Sequence, residues 1–144
     1  MREILFKAKR IDNGEWVEGY LFIKYYQESP HDRFVIQYKT TCDDKKWKPK
    51  YMVAEIDDST ICQYTGLTDK NGNKIWENDV VNKVDSNGLG WHRERKCKVS
   101  FDKLGYWLLT TEYGDGYWIA EFESEQLEVI GNVFDNPELL GGGE

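Results

Sequence analysis

The residues whose types and spacing could do chemistry are few, and the densest group is Trp91-His92-Arg93-Glu94-Arg95-Lys96-Cys97-Lys98. Four cations next to an aromatic ring are the equipment with which single-strand binders track a phosphate backbone and stack a base. On a strand that charge divides, with Arg93, Arg95 and Cys97 on one face and His92, Glu94, Lys96 and Lys98 on the other. Trp91, His92, Arg93, Arg95, Lys96 and Lys98 are therefore the candidate ligand or partner surface. The plainer reading of the same residues is a solvated edge whose charge keeps a strand from pairing wrongly.

Other reactive side chains do not assemble into a catalytic pattern. Asp57 and Asp58 are neighbours, so on a strand they would point to opposite faces, and in a turn Asp is favoured for bonding nearby backbone N–H groups. Two-carboxylate hydrolysis needs groups facing each other across a substrate. Glu77 and Asp79 read the same way. Cys62, Cys97 and His92 could meet at a zinc ion only through the fold, since no Cys pair has metal-ligand spacing; buried thiols are the simpler expectation. There is no Gly-x-Ser-x-Gly, no paired His and no Gly-rich phosphate loop opening a helix. The chain reads as a non-enzyme without cofactor or metal.

Charge is unevenly placed. Residues 1–66 hold eleven Lys/Arg against eleven Asp/Glu, whereas 67–144 hold eight against fifteen, so the net charge of −7 belongs entirely to the second part. From Leu104 onward there are nine carboxylates and no basic side chain, a surface that repels a phosphate backbone. Nucleic acid is thus a possible partner but not the preferred one.

The elements that must position these residues are short strands. Asn71-Gly72 supplies two residues tolerant of positive φ between strand-like runs at 60–65 and 75–81, the signature of a hairpin. Glu77-Asn78-Asp79 is a second sharp turn, with Asn78 at positive φ. Upstream, runs at 4–9, 16–24, 33–41 and 51–56 alternate apolar and polar residues, with Gly19 read as a bulge. A polar stretch at 25–32 and a charged loop at 42–50, anchored by Trp47, separate them. Downstream, runs at 99–101, 106–111, 116–122 and 127–133 have the spacing of a small barrel. Short helical turns are expected at 124–126 and 137–140, and no segment has helical periodicity for ~10–12 residues. Trp107 and Trp118, each one residue into an apolar run, are expected in the core.

The segments Gln63-Tyr-Thr-Gly-Leu, Asp69-Lys-Asn-Gly, Ile75-Trp-Glu-Asn-Asp-Val-Val and Val129-Ile-Gly-Asn-Val-Phe-Asp-Asn-Pro-Glu-Leu carry a resemblance. With Arg2-Glu-Ile-Leu-Phe-Lys-Ala and Trp16-Val-Glu-Gly-Tyr before them, they resemble, in order, the YopX family of phage and prophage proteins. That family usually has Gly where this chain has Asn78, a mild departure because Asn reaches the same backbone state. The resemblance implies a mainly β protein whose C-terminal part is similar to a small SH3-like barrel, in bacteria carrying phage genes, with no activity assigned.

The expected organisation is a β-rich N-terminal subdomain at 1–57, an SH3-like barrel subdomain at 58–140 and a flexible tail at 141–144. Three widely spaced cysteines fit a reducing compartment, and no apolar run approaches the ~20 residues of a membrane span, so a cytoplasmic location in a bacterial host and no membrane are expected. The preferred function is a small non-catalytic interaction module, an adaptor or regulator of a host or phage protein. The alternatives are a nucleic-acid-binding small barrel using residues 91–98 and an enzyme of unknown type. A homo-oligomer is left open.

Overall fold

The computed structural model describes residues 3–24, 33–40 and 50–140. The polar stretch at 25–32, the loop around Trp47 and the tail at 141–144 lie outside them. The strands are β1 (Phe6–Lys9), β2 (Trp16–Lys24), β3 (Arg33–Thr40), β4 (Lys50–Glu55), β5 (Cys62–Thr68), β6 (Lys74–Trp76), β7 (Asp79–Ser86), β8 (His92–Phe101), β9 (Trp107–Thr111), β10 (Gly116–Trp118) and β11 (Leu127–Asn132). Helix among the described residues is limited to single 3-10 turns, two of them at Ser124–Gln126 and Pro137–Leu139. None is long and apolar enough to cross a membrane.

Two antiparallel sheets result, with strand orders β4-β3-β2-β1-β5-β6 and β10-β9-β8-β7-β11. Among the described residues neither closes into a barrel. Residues 58–140 were expected to form an SH3-like barrel, but the second sheet ends at β10 and β11, which pair with β9 and β7 and not with each other. Evenly spaced turns predict how many strands form. Closure depends on tilt and shear, which turn spacing does not encode.

The chain divides into two compact units, Met1–Gln63 and Tyr64–Glu144. In the first, Ala8, Val17, Ile36, Ala54 and Ile56 form the core, with Phe6, Leu21, Phe34, Tyr38 and Ile61 packed against it. Alternation along β1, β2 and β3 delivers these residues to one face. Gly19 is not a bulge: the register runs unbroken through Phe6↔Gly19 and Lys7↔Glu18. Its reason is space, since a Cβ there would lie 2.0 Å from the Gln37 carbonyl oxygen. Asp57 caps the turn Asp58–Thr60, its Oδ1 accepting from the Ser59 backbone N–H at 3.1 Å and from the Ser59 hydroxyl at 2.7 Å.

In the second unit, Gly72 takes φ +81° in the β5–β6 hairpin and Asn78 takes φ +69°, as their residue types require. The Asn78 N–H donates to the Val99 carbonyl at 2.8 Å, and its own carbonyl accepts from the Val133 N–H at 3.0 Å, so the left-handed turn joins two distant segments. Asp69 is the hairpin's polar centre. Its Oδ1 accepts from the Asn71 and Asn73 N–H groups and its Oδ2 from the Val129 N–H, each at 2.9 Å. Burial pushes the Asp69 carboxyl up, but the N–H groups of Val129, Asn73 and Asn71 outweigh it and hold the group below the usual carboxylate range. The core of this unit is Ile75, Val81, Cys97, Val99, Leu109, Ile119 and Leu127, with Trp107, Phe122 and Val129 against it.

Trp118 corrects an expectation. Trp107 packs on the core, but Trp118 is 52% exposed. In the β9–β10 register Tyr117 lies opposite the buried Leu109 and Trp118 opposite Leu108, so Trp118 takes the outer face.

Candidate functional site

The candidate surface is built on the turn between β7 and β8. The Asn87 side-chain carbonyl accepts from the N–H groups of Leu89 at 2.8 Å and Trp91 at 3.1 Å, while Gly88 and Gly90 take positive φ. This turn delivers Trp91, 48% exposed, to the start of β8. From there β8 pairs with β7 through Asp85↔Arg93, Lys83↔Arg95 and Val81↔Cys97. The predicted alternation holds: His92, Glu94 and Lys96 are exposed, Arg93 and Arg95 are half-buried, and Cys97 is buried.

The two faces differ in what their charges do. On the inner face, Lys83 is 1% exposed and its ammonium bonds the Asp85 carboxylate. The same ammonium lies 4.6 Å from the Tyr117 ring centre and 4.8 Å from that of Phe122. A carboxylate and two ring faces offset the desolvation of a buried cation. Arg93 places Nη2 3.6 Å from the same Asp85 oxygen and its guanidinium 5.7 Å from the Trp91 ring centre, while its Nε is buried and has no hydrogen-bond partner among the described residues. Arg95 lies over Tyr113 at 5.3 Å. On the outer face, His92 is 3.3 Å from Glu94. The predicted residues thus come together on one strand, but the fold engages Arg93 and Arg95 with its own rings and carboxylate.

Nothing in this group is poised for nucleophilic chemistry. Burial pushes the Cys97 thiol up to about 11, so it is protonated at neutral pH. Cys97 and His92 point to opposite faces of β8, and among the described residues no group of three or more His, Cys, Asp or Glu could hold a metal ion.

A second surface was not foreseen. On the outer face Tyr106 and Trp118 stack with ring centres 5.3 Å apart, yet each is half exposed, and Leu104 in the preceding turn is 75% exposed. Asp102 holds that turn, its Oδ1 accepting from the N–H groups of Leu104 at 3.0 Å and Tyr106 at 2.9 Å. The signal available in the sequence was parity: Tyr106, Leu108 and Thr110 alternate with the inward Trp107, Leu109 and Thr111. Lys83 was missed for the converse reason. It stands two residues after Val81 and so shares its inward face, but the rings that cover it come from a segment more than thirty residues later.

Comparison with known proteins bears on the fold. A family model described as YopX protein matches residues 5–141. Among solved structures, the chain is similar to protein EF1440 from Enterococcus faecalis, at 19% sequence identity and a TM-score of 0.51, covering 97% of this chain and 99% of that one. At that identity the likeness shows a shared fold. No curated protein matches.

Proposed function

On the premise that the chain belongs to the YopX family, we propose that it is a small non-catalytic interaction module, an adaptor or regulator that holds a host or phage protein in the cytoplasm of a bacterium. The observation that supports this reading is the stacked pair Tyr106 and Trp118, half exposed beside the exposed Leu104. Rigid aromatic rings at the surface are the anchors that protein interfaces use, and stacking pre-organises both before a partner arrives. The residues from Leu104 onward carry nine carboxylates and no basic side chain. The partner of best fit is therefore a protein segment with basic residues flanking an apolar one.

The test is capture of the partner by the intact chain, compared with Trp118→Ala and Tyr106→Ala variants that keep the wild-type circular dichroism. Loss of one captured protein in both variants supports the reading. A second reading rests on Trp91, whose half-exposed ring lies 5.7 Å from the Arg93 guanidinium at the start of the basic strand. Capture of single-stranded nucleic acid at physiological salt, abolished by Trp91→Ala and untouched by Trp118→Ala, would replace the protein partner with that one.

A further inference from the structure

In the first unit, strands β1 to β4 turn one face to the core and the other away from it. Ala8, Val17, Ile36 and Ala54 lie in that core. By alternation, the odd-numbered positions of β1, β3 and β4 and the even-numbered positions of β2 take the opposite face. Such a face of an antiparallel sheet is ordinarily polar when it meets water. Here the register sets Tyr20, Gln37 and Val53 in one row across three strands, and Phe22, Val35 and Glu55 in the next. Tyr51 precedes Val53 by two residues and so shares the face. Tyr20 is 58% exposed, Tyr51 54%, Val53 49% and Phe22 41%, while Val35 is fully buried and gives the patch an aliphatic floor. Rings and branched side chains gathered on one exposed face, with polar residues around them, mark a surface that a partner covers.

The charge around this patch says what kind of partner. The same alternation places Lys7, Lys9, Lys24, Arg33 and Lys39 on the face, against Glu18 and Glu55. Lys24 lies directly opposite Arg33 in the β2–β3 ladder, a like-charge pairing that destabilises a sheet. Glu55, 3.4 Å from Arg33, offsets part of that. Lys7 and Lys9 bring their ammonium groups to one ring, 4.7 and 5.4 Å from the centre of Trp16. An arriving anion relieves the repulsion at both places.

We propose that this face binds an acidic protein segment carrying one or two large apolar residues. The apolar side chains cover Tyr20, Phe22, Tyr51 and Val53, and the carboxylates meet the Lys24–Arg33 and Lys7–Lys9 pairs. A phosphate backbone, the other polyanion, fits less well. It tracks a row of cations beside its stacked bases, whereas these two pairs stand at opposite ends of β2, about 26 Å apart along the strand, and the floor between them is Val35 and not an open ring. The surface is separate from Tyr106 and Trp118 and opposite to theirs in charge, so it gives the chain a second class of protein partner.

Fluorescence anisotropy of a short labelled peptide, two Leu residues set among Glu and Asp, tests this. The peptide should bind the full chain saturably and weaken as salt rises. Tyr20→Ser, Tyr51→Ser and Lys24→Glu, each checked for wild-type circular dichroism, should weaken binding about tenfold. Trp118→Ala should leave it unchanged, so the outcome is independent of the aromatic pair on the second unit. If a tyrosine variant does not fold, Lys24→Glu, a change at an exposed strand end, decides. Absence of binding, or binding that Lys24→Glu leaves intact, would overturn the proposal. So would tighter binding of a single-stranded oligonucleotide lost in the same variants, which would make nucleic acid the occupant. A wild-type mass that rises with concentration in sedimentation, and does not in Lys24→Glu, would overturn it in favour of a second copy.

Discussion

At the scale of single residues, two side chains hold more of the fold than their chemistry advertises. Asp69 accepts three backbone N–H bonds, two within its hairpin and one from Val129, sixty residues later. Its carboxyl titrates below the unfolded value, so the anion's contribution to stability is fully present above about pH 4 and is lost as pH falls through the lower folded value. Urea unfolding across that acid range should show the loss in the wild type. Asp69→Asn should flatten it and cost about 2–3 kcal/mol at neutral pH, because an amide cannot accept all three bonds. Asn78 gives the complementary case, a backbone role for a polar residue. Asn78→Gly should leave stability within a few tenths of a kcal/mol, whereas Asn78→Ala should cost about 1–2 kcal/mol, the price of a left-handed turn for a residue with a plain Cβ. Denaturant midpoints of both variants check this.

At the scale of elements, strand parity decides which residues are structural and which are available. Trp107 packs on the core and Trp118 stands outside it, although both sit in similar apolar runs. Trp107→Ala should cost about 3 kcal/mol and Trp118→Ala less than about 1 kcal/mol, read from thermal or urea unfolding. Most strands and the turns at Asn71-Gly72 and Asn78 were legible in the sequence, because turn residues and alternating runs specify local geometry, but β7 and β8 run well beyond the stretches read at 75–81 and 99–101, and the run at 116–122 is strand only over Gly116–Trp118. The split of charge over the two faces of β8 was legible for the same reason. What was not legible depends on partners distant in the chain. Trp118 needed its register against Leu108, Lys83 needed Tyr117 and Phe122, and Gly19 needed the Gln37 carbonyl. Gly19→Ala should therefore be among the most damaging small substitutions, costing several kcal/mol or abolishing folding, because the obstacle is backbone and cannot swing aside.

At the scale of the whole molecule, charge decides between partners. The second unit is seven charges negative, while the basic segment offers Arg93, Arg95, Lys96 and Lys98 against Glu94. Two of these cations are already engaged, Arg93 beside Asp85 and Trp91 and Arg95 over Tyr113. Screening at physiological salt extends about 8 Å, so carboxylates farther away neither help nor hinder, and the local inventory decides. An oligonucleotide would have to displace Asp85 from Arg93 and then compete with the ring over Arg95, leaving chiefly Lys96 and Lys98 to hold phosphates. Two phosphate contacts confer little affinity and only a shallow dependence on salt. A fluorescent single-stranded oligonucleotide should accordingly show no specific binding at physiological ionic strength. A basic peptide carrying one aromatic residue should bind, weaken as salt rises, and lose affinity about tenfold or more in Trp118→Ala. Micromolar or tighter binding of the oligonucleotide at that salt, lost in both Trp91→Ala and Arg95→Glu, would mean that the cations exchange their internal partners for phosphate, and the basic strand rather than the aromatic face would be the working surface.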